Sequence, residues 1–333
     1  IPKIRMFAEE NSFGKMAVRG KRLDIMKIAR DAYVNKVLSF LNYENINPLK
    51  IVIDSGNGAA GPTFDALVKG ISKESKMLTF DRIRHMPDGS FPEGVPNPLI
   101  PENQMRTSER VLEVNADFGV AFDGDFDRCF FFDEKGKFVS GEYVVGLFAE
   151  MFLRKEGGGN IIHDPRVIWN IRDIVQTNGG KPIVSKTGHT FIKESMRKYN
   201  AVYGGELSSH HYFRDFAFCD SGMIPWILIL QILSTGDKKF SELVEDRIKM
   251  FPSSGERNYM LDNPEVSIRR VKDFYNAQVI EKDDLDGISL LLENWRLNIR
   301  SSNTEQLVRV NIESKTGTSL INEKLKEIEN IFQ

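Results

Sequence analysis

The sequence contains little cysteine and no strong charge of either sign. Its 333 residues include two cysteines, Cys129 and Cys219, and both stand in apolar or aromatic surroundings typical of buried thiols. So few cysteines predict no disulfide framework, and a reducing, cytoplasmic setting is expected. The 45 Lys and Arg residues nearly balance the 47 Asp and Glu residues, which leaves a net charge of −2. Because the sequence has neither an excess of basic residues nor a long run of residues with the same charge, no nucleic acid partner is expected.

Long hydrophobic runs are absent as well. The longest apolar run extends from residue 223 to residue 233 and includes one polar residue, Gln231. A helix that crosses a bilayer needs about 20 apolar residues, so this run predicts a buried core helix and no membrane partner. A small molecule held by local charges is therefore the expected ligand.

The order of the apolar patterns predicts an α/β protein of several domains. A chain of 333 residues is long enough for two or three domains of ordinary size. Strand and helix patterns alternate between residues 49 and 199, which predicts two successive α/β domains with mixed, mostly parallel sheets. After residue 250, two alternating strand patterns and an amphipathic helix predict a smaller C-terminal α+β domain. The expected boundaries are 1–30 for a linker or a remnant of another domain, then 31–137, 138–249 and 250–333.

An acidic loop between two predicted strands is the first candidate site. Asp123, Asp125 and Asp127 alternate with Gly124 and Phe126 and are followed by an arginine. Three carboxylates in one tight loop repel one another unless a cation lies among them, and an oxygen-only ligand set suits a hard ion such as Mg²⁺.

Two other interpretations of this loop compete with the magnesium site. An acidic surface turn has the same composition. A calcium loop counted from Asp123 requires glycine at its sixth position, which is Arg128 here. The favoured prediction is therefore a metal loop with Arg128 beside it, a pairing that suits phosphoryl chemistry.

Two further loops lie between a predicted strand and the next element. Lys186 and His189 flank a predicted helix start, where backbone N–H groups can hold an anion. Glu206, Ser208 and His210 follow a short strand, and a carboxylate there can accept hydrogen bonds from two neighbouring sugar hydroxyls. An ordinary polar turn is the alternative for each loop taken alone.

The bend of the C-terminal hairpin is the fourth candidate. It contains Arg300, Ser302, Asn303 and Thr304. A guanidinium fork, hydroxyl groups and turn amides together can cradle a phosphate. A polar turn with a solvent-facing arginine is the common alternative.

Two rival sites have formal support in the sequence. Residues 56–61 match G-x-G-x-x-G after a predicted strand, with Asp81 further on, which is the pattern of a dinucleotide-binding oxidoreductase. The pattern is weakened because Pro62 predicts that the helix begins only there. A zinc site of His163, His210 and His211 is disfavoured, because adjacent histidines seldom face one metal and no cysteine pair assists.

Taken together, the four loops resemble the α-D-phosphohexomutase superfamily, and within it the bacterial phosphomannomutase branch. Residues 123–128 resemble its metal loop, residues 205–210 its sugar-specificity loop and residues 300–305 its phosphate loop. The residues around the Lys186–His189 and His210–Asp215 segments also resemble that family. The resemblance extends from about residue 31 to the end and covers the second, third and fourth of the family's four domains.

The resemblance implies a role for each site residue. Asp123, Asp125 and Asp127 would hold Mg²⁺, and Arg128 would act at the transferring phosphate. Glu206 and Ser208 would contact sugar hydroxyls. The remaining implied contacts are Arg300, Ser302, Asn303 and Thr304 at the other phosphate, with Arg166, Lys186, His189 and His210 as secondary substrate contacts.

The implied activity is the interconversion of mannose 6-phosphate and mannose 1-phosphate. In the family an enzyme phosphoserine exchanges phosphate with the sugar through a sugar 1,6-bisphosphate, which also serves as activator. Glucose phosphates are the alternative substrates. The resemblance also implies a monomer or homodimer and a role in supplying nucleotide sugars such as GDP-mannose.

The sequence departs from the family pattern in three places. Phe126 stands where many members have glycine, and Gln306 stands where proline is usual. The Thr-Ala-Ser-His-Asn-Pro loop that carries the family's phosphoserine does not occur. We therefore expect that the domain with the nucleophile is missing and that this chain alone is inactive, or is a non-catalytic phosphosugar-binding fragment.

Overall fold

The computed structural model describes residues 2–14, 20–44, 46–74, 77–302 and 306–333. Its helices, numbered α1 to α11, are Pro2–Glu9, Met26–Leu38, Ala60–Glu74, Met105–Val114, Gly141–Glu156, Trp169–Thr177, His189–Tyr199, Met223–Thr235, Phe240–Met250, Pro264–Tyr275 and Thr318–Phe332. Its strands, numbered β1 to β15, are Leu49–Asp54, Leu78–Ile83, Phe118–Phe122, Cys129–Phe132, Phe138–Val139, Gly159–His163, Gly180–Val184, Tyr203–Gly205, His211–Phe213, Cys219–Asp220, Arg257–Met260, Glu281–Asp283, Ile288–Leu291, Trp295–Ser301 and Leu307–Ser314. The strands form three five-stranded sheets.

The first sheet has the strand order β2-β1-β3-β4-β5. Strand β1 pairs in parallel with β2 and β3, whereas β4 returns antiparallel to β3 and pairs with β5. Strands β3 and β4 are buried along their whole length, because their β-branched and aromatic side chains pack well in a pleated layer. The acidic loop connects these two strands, so it lies at the carboxyl edge of the parallel strands. Ligands of open α/β sheets commonly bind at that edge.

The second sheet repeats this arrangement with the order β10-β9-β8-β6-β7. Strand β6 pairs in parallel with β7 and β8, and β9 and β10 are antiparallel. The loops after β6, β7 and β8 therefore leave one edge of the sheet together. These loops contain Arg166, Lys186 and Glu206, so three predicted site residues share that edge.

The first two sheets share one hydrophobic core. The apolar run predicted to be a core helix forms α8, which is buried along most of its length. The Trp226 ring on α8 lies 5.2 Å from Phe64 and 6.1 Å from Phe80, measured between ring centroids. Because both phenylalanines belong to the first α/β unit, α8 fixes the two units against each other.

The third sheet is antiparallel throughout, with the order β11-β15-β14-β13-β12. Leu297 and Ile299 on β14 face the core formed with α10 and α11. The opposite face of the sheet carries Arg296, Asn298 and Glu313, and these polar side chains are also buried. Two of them contact the second α/β unit: Arg296 Nη1 donates to the Arg166 carbonyl at 3.1 Å, and Glu313 accepts backbone N–H groups at the start of α6.

The predicted fold class is confirmed: two α/β units with mixed sheets precede a smaller α+β unit. Each of the two α/β sheets has two parallel and two antiparallel strand pairs, so the sheets are mixed as predicted, but parallel pairs do not outnumber antiparallel ones. The prediction that the helix after the glycine loop begins at Pro62 is wrong, because α3 begins at Ala60. Pro62 still lies in the first turn, where its missing N–H removes no helical hydrogen bond.

Residues 1–30, predicted to be a linker or a remnant of another domain, include the exposed helix α1 among their described residues. One smaller expectation differs from the structure. Of the two thiols, Cys129 is buried but Cys219 is only partly buried. No helix in the described ranges combines the length and apolar character needed to cross a membrane.

Candidate active site

The acidic loop is folded tightly around Asp123, whose side chain is almost fully buried. The Arg128 backbone N–H and Nε donate to the two oxygens of Asp123 at 3.2 and 2.7 Å. Phe126 adopts a left-handed φ of 52°, a conformation that favours glycine. Gly222 lies against the loop so closely that a Cβ there would be 2.4 Å from the Phe126 carbonyl oxygen. The hydrogen bonds from Arg128 to Asp123 and the close packing of Gly222 against Phe126 therefore stabilise the loop conformation.

The three aspartates fit a divalent cation. Asp123, Asp125 and Asp127 each place one carboxylate oxygen within 4.8 Å of the others. Burial and the neighbouring Asp123 and Asp125 carboxylates raise the pKa of Asp127 to about 6, although His210 opposes the shift. A hard ion with oxygen ligands would offset the repulsion among the three carboxylates. Accepting hydrogen bonds from Arg128 leaves each Asp123 oxygen a further lone pair for a metal.

The glycine loop of residues 56–61 supports the acidic loop. The Ala59 N–H donates to the Gly124 carbonyl at 3.0 Å, and a Cβ at Gly58 would lie 2.6 Å from that same oxygen. Added Cβ atoms at Gly56 and Gly61 would collide with Pro96 and with the His85 carbonyl. Atoms of this chain thus fill the space beside the glycines that a dinucleotide pyrophosphate would need.

His210 connects the acidic loop to the second sheet. It forms an isolated antiparallel bridge with Arg128, and its Nδ1 lies 3.8 Å from Asp127 and 3.4 Å from Asp220. Burial lowers the pKa of His210, but the Asp220 carboxylate and other nearby acids outweigh it, so the net shift is upward. The imidazole is therefore well placed to carry positive charge beside the metal loop.

The three histidines considered for zinc do not form a site. His163 Nδ1 lies 2.9 Å from the Asp164 carbonyl, and His211 Nδ1 lies 2.6 Å from the Tyr203 hydroxyl, both in the interior. Among the described residues, the groups close enough to share a metal ion include His210 but neither of the other two.

Glu206 is buried and fixed by three groups. Its Oε1 accepts the Tyr212 hydroxyl at 2.6 Å, and its Oε2 accepts the Gly188 N–H at 3.1 Å. Arg166 Nη2 lies 3.6 Å from the same Oε2. The carboxylate predicted to contact sugar hydroxyls is thus held in one orientation next to a cation.

The predicted anion site at the start of α7 is occupied by carboxylates of the protein itself. Gly188 N–H donates to Glu206, and Thr187 N–H donates to Asp286 of the C-terminal unit at 3.2 Å. Lys186 and His189 flank these amides with exposed side chains. The amides do bind anions, but in this structure the anions are carboxylates.

Arg166 and Arg300 both contact the carboxylate of Glu256, a residue that no sequence motif marks. Glu256 Oε2 accepts Arg166 Nη1 at 3.3 Å and Arg300 Nη2 at 3.2 Å. Arg166 also donates to Asp164 at 2.7 Å and to the Ser208 hydroxyl at 3.2 Å. Glu256 and Asp286 contact Arg166 and Thr187, which are distant in sequence, so no local motif marks them. Tyr212 and Asp220 lie close in sequence to their partners Glu206 and His210.

The predicted phosphate loop is described only in part. Its Ser302 N–H donates to the Leu307 carbonyl at 2.9 Å, which closes the turn of the hairpin. Asn303 and Thr304 lie outside the described residues. Arg300, at the described end of this loop, contacts the Glu256 and Asp286 carboxylates.

A continuous series of contacts joins the acidic loop to Arg300. Asp127 faces His210, and the His210 carbonyl accepts the Glu206 N–H at 3.0 Å. Glu206 contacts Arg166, which shares Glu256 with Arg300. All three structural units therefore contribute to one charged site, called the cleft below, that contains three clustered aspartates, a fixed carboxylate and a guanidinium group.

Clustered carboxylates that can hold a hard cation, together with guanidinium groups that can bind a phosphate, are typical of enzymes that act on phosphorylated substrates. Three family models match the chain: phosphoglucomutase/phosphomannomutase alpha/beta/alpha domain II at residues 31–136, alpha/beta/alpha domain III at 140–251 and the C-terminal domain at 253–330. The chain belongs to the phosphoglucomutase/phosphomannomutase family, as the resemblance of its loops predicted.

Individual relatives agree with this assignment. A phosphomannomutase of Escherichia coli (strain K12) is 48% identical over 327 residues, which cover 98% of this chain and 71% of the relative. A phosphomannomutase of Vibrio cholerae serotype O1 is 48% identical over 332 residues, covering 99% and 71%. Among solved structures, a phosphoglucomutase/phosphomannomutase family protein from Burkholderia thailandensis superimposes with a TM-score of 0.82 at 25% identity, covering 98% of this chain and 69% of that one.

Proposed function

We propose that this protein acts as a phosphomannomutase, interconverting mannose 6-phosphate and mannose 1-phosphate through a sugar bisphosphate. The observation that carries the proposal is the continuous series of contacts from the acidic loop through Glu206 to Arg300. Relatives that are 48% identical and carry the name phosphomannomutase support it. A phosphorylated hexose needs recognition at both ends and at its hydroxyls, and the cleft offers one group for each task.

Mg²⁺ is the proposed cofactor of the acidic loop. Asp123, Asp125 and Asp127 would hold it, and when bound it would neutralise negative charge on a phosphoryl group. Arg128, fixed by Asp123, would present its guanidinium beside the same phosphate. Positioned charge of this kind is the main source of catalysis in phosphoryl transfer.

The rest of the cleft is proposed to bind and orient the sugar. Glu206, with Ser208 beside it, would accept hydrogen bonds from adjacent sugar hydroxyls, and Arg300 would bind the phosphate that is not transferred. Arg166 and His210 would stabilise these groups from the second sheet. Lys186 and His189 remain proposed outer contacts, as do Ser302, Asn303 and Thr304 of the hairpin bend.

The proposed cycle also needs a phosphoserine and a sugar 1,6-bisphosphate activator. The Thr-Ala-Ser-His-Asn-Pro motif does not occur in these 333 residues. For this chain by itself we therefore propose binding of the metal and the phosphosugar without turnover. The units 31–137, 138–249 and 250–333 remain the proposed domains.

Calorimetric titration of the chain with mannose 1-phosphate in the presence of Mg²⁺ tests the proposal. One charge-assisted hydrogen bond contributes about 1.5–3 kcal/mol, so Arg300→Ala is expected to weaken binding about 10- to 100-fold, and Glu206→Gln to weaken it by a similar factor. Glu245→Gln is the matched control, because Glu245 forms an exposed ion pair with Lys135 on another surface.

Two results would contradict the proposed function. One is mannose 1-phosphate affinity that neither Arg300→Ala nor Glu206→Gln reduces. The other is saturable quenching of nicotinamide fluorescence by the chain, which would favour the oxidoreductase alternative. Glucose 1-phosphate in a parallel titration measures the preference between the two sugars.

A further inference from the structure

Glu256 occupies a central position among the cations of the cleft. It follows Gly255, whose φ is 61°, in the segment that connects α9 to β11. Both of its oxygens are engaged: Oε2 accepts Arg166 and Arg300 at 3.3 and 3.2 Å, and Oε1 accepts Arg309 at 3.0 Å. One carboxylate thus faces three guanidinium groups, and its side chain is only 11% exposed.

The guanidinium of Arg300 faces a second carboxylate as well. Its Nη1 lies 3.9 Å from Asp286, which also accepts the Thr187 N–H. The contacts of Arg300 among the described residues are therefore with the carboxylates of Glu256 and Asp286. A guanidinium whose partners are all carboxylates has the surroundings of an anion-binding group that already holds an anion.

A phosphate and Glu256 would compete for the same donors. A phosphate monoester carries about −1.5 to −2 charges at pH 7 and has three strong acceptor oxygens. It is thus a stronger acceptor for a guanidinium fork than a single carboxylate. The two anions also repel each other, because a phosphate bound to Arg300 would lie next to Glu256.

We propose that Glu256 is the resident counter-ion of the phosphate site: it holds Arg300 in the empty cleft and releases it when the phosphate of a phosphosugar binds. This inference rests on the proposed function for the identity of the sugar, but the exchange itself concerns any phosphate. Arg166 and Arg309 keep Glu256 paired after Arg300 turns to the ligand.

The exchange lowers the affinity of the site for phosphate. One unit charge close to a nearly divalent phosphate, at a dielectric near that of water, weakens binding about tenfold. A lower affinity for phosphate suits a mutase, because the phosphate bound at Arg300 must leave again in every cycle. Glu256 thus positions the Arg300 guanidinium and also sets an upper limit on the affinity of the site for phosphate.

Calorimetric titration with inorganic phosphate and with mannose 1-phosphate tests the inference on wild-type protein and on Glu256→Gln. Glutamine keeps the size and one acceptor oxygen but removes the charge. We expect Glu256→Gln to bind both ligands about tenfold more tightly at low salt, with a smaller gain at high salt because the effect is electrostatic. Glu256→Asp, which keeps the charge, should show no such gain, and the surface variant Glu245→Gln should bind as the wild type does.

Unchanged or weaker phosphate binding by Glu256→Gln would overturn the inference, since a purely structural role predicts loss and never gain. A crystal structure of the wild-type chain with phosphate gives an independent test. There the 3.2 Å contact between Glu256 and Arg300 must be replaced by a contact with phosphate, and an unchanged pair would also overturn the inference.

The test separates this inference from the proposed function. If mannose 1-phosphate bound no more tightly than inorganic phosphate in every variant, the sugar assignment would fail. A tenfold gain for inorganic phosphate in Glu256→Gln would in that case still support the counter-ion role.

Discussion

Replacing Glu313 is expected to loosen the contact between the C-terminal unit and the second α/β unit. Glu313 lies on β15 and is buried. Its Oε1 accepts the Ile168 and Trp169 N–H groups at 2.9 and 2.7 Å, which caps the start of α6 from a different sheet. Its Oε2 accepts Arg296 Nη1 at 3.0 Å.

The expected loss in the free energy of unfolding follows from these contacts. Removing one partner of a buried ion pair leaves an uncompensated charge and costs about 3–5 kcal/mol. Loss of a helix cap costs about 0.5–2 kcal/mol, but the two effects share one side chain and do not add fully. We therefore expect Glu313→Ala to reduce the free energy of unfolding by about 4 kcal/mol. Glu313→Gln keeps an oxygen for the Ile168 and Trp169 N–H groups but also leaves the buried Arg296 charge uncompensated, so it should reduce the free energy of unfolding by about 3 kcal/mol.

The assay is urea unfolding of both variants, followed by circular dichroism and by tryptophan fluorescence. Glu245→Gln serves as the surface control, because an exposed ion pair contributes no more than about 1 kcal/mol. The two variants should also bind mannose 1-phosphate more weakly, since Arg296 contacts the backbone that carries Arg166. A loss below about 1 kcal/mol in Glu313→Ala would refute the view that this buried pair fastens the C-terminal unit.

Three other predictions follow from the structure. Burial lowers the pKa of His163 to about 4 and that of His211 to about 3, so the unfolded chain binds more protons below pH 6.5. The stability that these two histidines contribute should be complete above pH 6.5, and the free energy of unfolding should fall by about 2.7 kcal/mol per pH unit between pH 6 and 4. In urea unfolding, His211→Asn should show about half of this pH dependence. A pH dependence equal to that of the wild type would show that the two histidines are not its cause. Asp125→Asn should raise the Kd for Mg²⁺ at least tenfold in titrations, because it removes one of three ligand charges, whereas equal affinity would place the ion elsewhere. Gly58→Ala should lower the free energy of unfolding by about 1–3 kcal/mol through overpacking against the acidic loop, whereas Gly89→Ala, which meets open space, should not; equal effects of the two would contradict the buttressing role of the glycine loop.

Many residues of the cleft could be predicted from the sequence, because they lie together in short loops whose composition suggests a chemical role. Three aspartates spaced two apart must share one loop when strands flank them, and the structure places their oxygens within 4.8 Å. Glu206 and Arg300 follow or end predicted strands, so their positions at sheet edges could be expected as well. The glycine pattern at residues 56–61 shows the limit of such reasoning, because its glycines make room for a neighbouring loop of the same chain.

Strand alternation and loop composition are properties of short segments, so the chemical loops and the three successive units could be predicted from the sequence. Which charged side chains contact one another depends instead on how those segments pack in three dimensions. Glu256 and Arg166 are separated by 90 residues, and Glu313 and Ile168 by 145, so no periodicity or motif relates them. The buried polar face of β14 has the same cause: its alternation predicts one face toward solvent, but the packing of a second unit removes that face from water.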